Sequence, residues 1–200
     1  MPNDNLTEIA CIVDRSGSMS TIRDDAIGGF NQFLEEQKVV PGEANVTRVI
    51  FDDQYEIIDN NVPIKDVAPF TTDTYVPRGW TALLDAIGKT INTIRERIAN
   101  TPEEEKPSKV MVAILTDGEE NRSTEFKTKK EIFDLIKECK ESGNWEFLYL
   151  GANQDAIREG QNYGISAKMS MNFAASASGV RGAYKSMSDT ATKYRTQKLS

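Results

Sequence analysis

Residues 9–18 read Ile-Ala-Cys-Ile-Val-Asp-Arg-Ser-Gly-Ser, an apolar run that ends abruptly in oxygen-bearing side chains. An uncharged run of this kind predicts a buried strand, which we assign to residues 6–13. Asp14, Ser16 and Ser18 then lie in the loop that follows the strand. In an open α/β sheet, ligands bind in the crevice outside the carboxyl ends of the strands. One carboxylate and two hydroxyls are hard oxygen donors, which suit Mg²⁺, Mn²⁺ or Ca²⁺.

Strands and helices alternate along the rest of the chain. Apolar runs predict further strands, and helical spacing of apolar residues predicts helices. The predicted strands cover residues 45–51, 55–59, 110–115, 145–150 and 168–173. The predicted helices cover residues 21–38, 83–99, 131–141, 155–163 and 180–194. We therefore predict an α/β fold, doubly wound, with a mostly parallel central sheet, one antiparallel edge strand in a hairpin, and helices on both faces.

This organisation predicts a single domain over residues 1–200, with a core at about residues 6–173. The segment 166–200 is basic, because six Lys and Arg residues face one acid, Asp189. Two interpretations stay open for its helix at residues 180–194. Either the helix packs on the sheet with Tyr184, Met187 and Ala191 facing inward, or it is a free arm that binds a partner. The first is expected, since charged runs are usually solvated faces.

The composition of the chain excludes several classes of function. The net charge of −7 argues against a nucleic-acid partner. The chain has no histidine, which excludes Ser-His-Asp and Cys-His nucleophiles and most zinc chemistry. Two cysteines, Cys11 and Cys139, fit buried thiols in a reducing compartment. No apolar stretch is long enough for a membrane span, and the first residues do not resemble a secretory signal, so we expect a cytoplasmic protein without a membrane partner.

Two later loops carry further oxygen donors. The predicted central strand ends in Thr-Asp-Gly, which puts Asp117 at the same edge of the sheet as Asp14. Residues 76–87 read Val-Pro-Arg-Gly-Trp-Thr-Ala-Leu-Leu-Asp-Ala-Ile and place Thr81 just before a helix. The Thr81 hydroxyl either caps that helix or faces the crevice.

These three loops, in this order, resemble the von Willebrand factor type A domain, and the similarity extends over residues 6–173. The family's metal-ion-dependent adhesion site (MIDAS) is formed by these loops. The resemblance implies five metal ligands, namely Asp14, Ser16, Ser18, Thr81 and Asp117. It departs at Trp80, because the second loop of the family usually reads Gly-Gly-Thr. The tryptophan either contacts a partner, covers the site or packs locally.

The resemblance implies a protein-interaction module rather than an enzyme. A divalent cation, with Mg²⁺ expected before Mn²⁺ or Ca²⁺, would bind an Asp or Glu of a partner protein as its remaining ligand. Arg15, Trp80 and Glu119 lie within two residues of a ligand in the sequence and are expected to form the partner-binding rim. The cysteine usage, the lack of a signal and the length of the chain lead us to expect an intracellular, stand-alone member of the family from a prokaryote or phage.

Two alternatives remain. One is an Mg²⁺-dependent phosphoryl-transfer enzyme with Asp14 as nucleophile, although Ser16 stands where such enzymes often carry a second acid. The other is a structural or assembly module whose metal site is vestigial.

Overall fold

Six strands form one sheet in the computed structural model, which describes residues 1–152 and 155–198. In chain order they are β1 (Asn3–Asp14), β2 (Glu43–Phe51), β3 (Tyr55–Pro63), β4 (Pro107–Thr116), β5 (Trp145–Ala152) and β6 (Ser170–Phe173). The spatial order is β3-β2-β1-β4-β5-β6. All neighbouring pairs are parallel except β2 and β3, which form the antiparallel edge. The predicted fold class is confirmed.

Within the residues that the structure describes, five α-helices cover the sheet. They are α1 (Arg23–Lys38), α2 (Leu83–Asn100), α3 (Lys129–Ser142), α4 (Ala156–Asn162) and α5 (Ala177–Thr196). Strand β1 shows why both faces need cover: Ile9 and Cys11 pack into the core beneath α1 and α5, whereas Ala10 and Ile12 pack into the core beneath α2 and α3. Within the described residues, no helix combines the length and the apolar character needed to cross a membrane.

Some element boundaries differ from the sequence prediction. The segment Gly17–Ile22 is a short 3₁₀ helix, so that α1 begins at Arg23 rather than near residue 21. The polar start of the chain extends β1 back to Asn3, which pairs with Pro107 at the start of β4. Helix α3 begins after Thr128, whose side chain accepts a hydrogen bond from the Glu131 N–H while Glu131 reaches back, as a capping box does.

The basic helix α5 packs against α1. Its side chains Tyr184, Met187 and Ala191 are buried, as the inward-facing interpretation expects. Arg195, near the end of α5, donates a hydrogen bond to the carbonyl oxygen of Gln37 in the last turn of α1. It also donates to the carbonyl oxygens of Val40 and Gly42, which follow that helix. The basic character of this segment is thus partly used inside the protein.

The sheet topology places the candidate site. Strand β1 has β2 on one side and β4 on the other, so the connections leaving β1 and β4 run in opposite directions. A crevice opens at such a switch point, outside the carboxyl ends of the strands. Val13 pairs with Leu115, which sets Asp14 beside Thr116 and brings the Asp117 loop to the same edge.

Candidate metal site

Asp14, the last residue of β1, is fully buried and tightly held. Its Oδ1 atom accepts a hydrogen bond of 2.6 Å from the backbone N–H of Ser16, and its Oδ2 atom accepts one of 2.6 Å from the Thr116 hydroxyl. The Tyr75 hydroxyl donates to the Asp14 carbonyl oxygen over 2.5 Å. Each carboxylate oxygen keeps a lone pair beyond these bonds, so Asp14 can still bind an ion.

A chain of side chains joins the loop after β1 to the loop after β4. The Ser16 and Ser18 hydroxyl oxygens lie 3.1 Å apart, and the Ser18 hydroxyl donates to Asp117 Oδ1 over 2.6 Å. A hydroxyl has one hydrogen, so Ser16 must be the donor to Ser18. With the bond from the Ser16 N–H to Asp14, four of the five predicted ligands are therefore linked by hydrogen bonds. A divalent cation prefers such oxygen atoms as ligands and could bind them in place of these hydrogen bonds.

Thr81 completes the group from the second loop. A Cβ atom placed on Gly118 would lie 3.1 Å from Thr81 Oγ1 and 3.8 Å from Ser18 Oγ, so the Thr81 hydroxyl faces the third loop. The capping alternative is not observed, because α2 starts after Ala82 and has no side-chain cap. The amide of Asn121 holds Thr81 in place: its Oδ1 accepts from the Thr81 N–H at 2.9 Å.

The electrostatics of the two acids favour a cation. Burial raises the pKa of Asp14 to about 6, against the opposing effect of hydrogen bonds from Thr116 and Ser16. Burial also raises the pKa of Asp117, against its hydrogen bond from Ser18. Within residues 1–152 and 155–198, no Lys or Arg forms an ion pair with either carboxylate. A divalent ion would supply the missing positive charge.

The donor set consists of oxygen atoms alone, which fit a hard cation. Among the residues that the structure describes, no group of three or more His, Cys, Asp or Glu side chains could hold a metal. The candidate site instead combines two carboxylates with three hydroxyls. Such oxygen donors are typical of Mg²⁺, Mn²⁺ or Ca²⁺ sites that retain water.

The three predicted rim residues lie in different environments. Trp80 is 63% exposed, so its ring does not pack into the protein, and Glu119 is also exposed. Arg15 is only 6% exposed, which puts it beneath the rim rather than on it. Its guanidinium lies against the β2–β3 hairpin, 3.2 Å from Asp52 and 2.9 Å from Glu56, instead of extending into the solvent.

Sequence reasoning missed the residues that hold the third loop. The Glu120 carboxylate accepts hydrogen bonds from the backbone N–H groups of Leu84 and Ser123, which ties this loop to the start of α2. Asp85 of α2 in turn accepts from the backbone N–H groups of three residues. These donors are Thr124, Glu125 and Phe126. Local sequence patterns do not predict hydrogen bonds between segments about 40 residues apart.

Comparisons with known proteins identify the fold through solved structures. No protein-family model matches the chain, and no curated protein matches its sequence. Among solved structures, proximal thread matrix protein 1 from the mussel byssus, with a zinc-occupied MIDAS motif, matches with a TM-score of 0.64 and 17% identity. That match covers 93% of this chain and 46% of the mussel protein, so this chain spans less than half the length of its relative.

Two bacterial pilus proteins are similar in the same way. The von Willebrand domain of the type V pili tip protein Mfa5 from Porphyromonas gingivalis matches with a TM-score of 0.63 and 10% identity over 97% of both chains. The pilus adhesin SpaC from Lactobacillus rhamnosus GG matches with a TM-score of 0.65 and 16% identity, over 94% of this chain and 30% of the adhesin. The chain therefore has the fold of a von Willebrand factor type A domain.

Proposed function

We propose that this chain is a metal-dependent protein-interaction module. A divalent cation, Mg²⁺ before Mn²⁺ or Ca²⁺, is held by one set of five side chains, and a partner's Asp or Glu supplies a further ligand. The set is Asp14, Ser16, Ser18, Thr81 and Asp117. The observation that carries the proposal is the contact between loops: Ser16, Ser18 and Asp117 form a hydrogen-bonded chain, and the Thr81 hydroxyl faces Gly118 in the loop that carries Asp117.

The neutral hydroxyls explain why such a site binds an outside acid. Only Asp14 and Asp117 carry charge, so the cation keeps much of its attraction for another anion. Mg²⁺ usually retains several waters in proteins, and a partner carboxylate can replace one of them. The mussel protein that shares this fold has a zinc-occupied MIDAS motif, which supports a divalent ion here.

The partner that suits this site is a protein rather than a nucleic acid. The chain carries a net charge of −7, so attraction for an acidic side chain must come from the bound cation. Trp80 and Glu119, both exposed beside the ligands, are the residues we assign to the rim. Both cysteines are free and buried, which agrees with the cytoplasmic location that we keep as part of the proposal.

Binding fits the site better than phosphoryl transfer. A nucleophilic Asp14 would need a nearby acid or base to move the proton, and Ser16 offers only a hydroxyl. Within the described part of the chain, no third acid joins Asp14 and Asp117 in a metal-binding group. A vestigial site is the remaining alternative, and it predicts no metal binding at all.

Manganese titration tests the proposal directly. Free Mn²⁺ is measured by electron paramagnetic resonance, and bound water by proton relaxation. We expect Mn²⁺ to bind, Mg²⁺ to compete, and a short Glu-containing peptide to lower the relaxation because its carboxylate replaces a water. Asp117→Asn should weaken binding, whereas Asp189→Asn on the exposed face of α5 should not.

Three results would overturn the proposal in different ways. Absence of Mn²⁺ binding at millimolar concentration would support a vestigial site. Metal binding without any response to carboxylates would remove the partner acid. Metal-dependent hydrolysis of a phosphomonoester that is lost in Asp14→Asn would favour the enzyme.

A further inference from the structure

The turn between β2 and β3 contains a fully buried acid, Asp52. Its Oδ2 atom lies 2.8 Å from Arg78 Nε and 3.2 Å from Arg15 Nε. Its Oδ1 atom accepts a hydrogen bond of 2.6 Å from the Gln54 N–H, which closes the turn. One carboxylate thus serves the hairpin turn and two arginines together. The turn alone accounts for only one of its two oxygens.

The two arginines come from the two loops that carry four of the proposed ligands. Arg15 lies between Asp14 and Ser16, and Arg78 lies three residues before Thr81. Asp52 therefore links the first loop to the second. It does so without contributing an atom to the proposed metal site.

Backbone hydrogen bonds strengthen this link. The Arg78 N–H donates to the Arg15 carbonyl at 2.8 Å, and the Ala82 N–H donates to the Asp52 carbonyl at 2.9 Å. The Gly17 N–H donates to the Gly79 carbonyl at 3.2 Å. Both loops are thus tied to each other, and the residue after Thr81 is tied to the hairpin turn.

The neighbouring acid, Asp53, fits closely against the second loop. A Cβ atom placed on Gly79 would lie 2.0 Å from Asp53 Oδ1, and Gly79 has φ +67°, a conformation that favours glycine. The Trp80 N–H donates to the same oxygen at 3.3 Å. The hairpin turn therefore sets the path of the chain immediately before Thr81.

Charge gives Asp52 a second role. Arg15 is buried, and its other acidic partner, Glu56, has a half-exposed side chain. Without the Asp52 charge, the guanidinium groups of Arg15 and Arg78 would lose their shared buried counter-charge next to the loops. Uncompensated positive charge near the site would repel a divalent cation.

We propose that Asp52 is a positioning residue for the metal site, which holds the first and second loops in register and neutralises the arginines between them. The inference rests on the proposed function, because it concerns the affinity of that same site. It predicts that a residue of the hairpin turn, outside the five ligands, controls metal binding.

Asp52→Asn tests this inference, since it keeps the shape of the side chain and removes its charge. The matched control is Asp59→Asn, which neutralises the acid paired with buried Arg48 at 2.6 Å on the same hairpin. Mn²⁺ affinity is measured in folded protein, with unfolding by denaturant recorded for each variant. We expect Asp52→Asn to weaken Mn²⁺ binding by about 10-fold or more, the usual effect of losing a residue that orients ligands, and Asp59→Asn by about twofold at most.

A double-variant cycle separates positioning from general stability. Arg78 is half-exposed, so Arg78→Met is expected to fold and to weaken Mn²⁺ binding by breaking the same link. The double variant Asp52→Asn/Arg78→Met should bind Mn²⁺ no more weakly than Asp52→Asn alone, because both changes act through one pair and the second removes the unbalanced charge. Independent, multiplying losses would overturn the inference.

The proposed function and this inference fail in distinguishable ways. If the unaltered protein binds no Mn²⁺, the proposed function fails and the inference with it. If the unaltered protein binds Mn²⁺ and Asp52→Asn binds it as well as Asp59→Asn does, the metal site stands and the role of Asp52 is refuted.

Discussion

The Ser18 hydroxyl donates a hydrogen bond of 2.6 Å to Asp117, a residue 99 positions later in the chain. The contact crosses between the loops that follow β1 and β4, which are neighbouring strands of the sheet. Ser18 is exposed, unlike Asp14, Ser16 and Thr81. It is thus the proposed ligand whose substitution disturbs the fold least.

Ser18→Ala is expected to weaken Mn²⁺ binding while leaving the free energy of unfolding without metal within about 1 kcal/mol of the original, as exposed substitutions usually do. The control is Ser20→Ala in the same segment, since the Ser20 hydroxyl is also exposed and donates to the Gly17 carbonyl at 2.6 Å. Calorimetric titration measures both affinities. Equal losses in the two variants would argue against Ser18 as a ligand.

The adjacent glycines of α1 should respond in opposite directions to alanine. A Cβ atom on Gly29 would lie 2.3 Å from a ring carbon of buried Tyr184 on α5, whereas one on Gly28 would meet nothing within 4 Å. Gly29→Ala should destabilise the protein by about 1–3 kcal/mol through overpacking. Gly28→Ala should stabilise it by about 0.5–1 kcal/mol, because alanine suits a helix interior better. Denaturant unfolding measures both, and equal effects would contradict the close approach of α1 and α5.

Arg195 should contribute strongly to stability, although it belongs to a basic, outwardly polar segment. Its guanidinium donates to the carbonyl oxygen of Gln37 in the last turn of α1 and to those of Val40 and Gly42 after the helix. Arg195→Met should lower the free energy of unfolding by about 2–4 kcal/mol, because buried carbonyl acceptors lose a charged donor. Arg181→Met, at an exposed pair 3.6 Å from Asp25, should change stability by less than about 1 kcal/mol. Similar thermal unfolding of the two variants would refute the buried role of Arg195.

The stability contributed by Asp85 should depend on pH. Burial raises its pKa, but N–H donors at Thr124, Phe126 and Glu125 lower it by more, so the folded pKa lies below the usual 3.8. Such an acid stabilises the fold fully above its unfolded pKa and loses that contribution as the pH falls through the lower folded value. The stability gap between the original protein and Asp85→Asn should therefore be largest above about pH 5 and shrink towards about pH 3. A gap that stays constant across that range, measured by denaturant unfolding, would contradict this assignment.

The mostly parallel sheet with its antiparallel edge and the candidate ligands could be predicted because their signals are local. An uncharged run marks β1, and oxygen side chains follow it directly at Asp14, Ser16 and Ser18. The side-chain direction of Arg15 could not be predicted in this way. It depends on the β2–β3 hairpin, where Asp52 and Glu56 pair with the Arg15 guanidinium.

Long-range polar pairs account for the other omissions. A hairpin turn explains Asp52 in part, since its Oδ1 accepts from the Gln54 N–H as in an Asx turn. The ion pair between Asp52 and Arg78, which is 26 residues later, has no signature in the local sequence pattern. The same holds for Arg195 and Gln37, which are 158 residues apart. Such partners are set by the packing of whole elements.

The most direct test of the central claim is the thermal unfolding midpoint of the protein with Mg²⁺ and with a chelator. Ligand binding to the native state must raise stability, by about 2.7 kcal/mol when the free ion is 100 times its dissociation constant. The account predicts a higher midpoint in Mg²⁺ that falls back in the chelator, and little or no shift in Asp117→Asn. An unchanged midpoint of the unaltered protein in several millimolar Mg²⁺ or Mn²⁺ would contradict it.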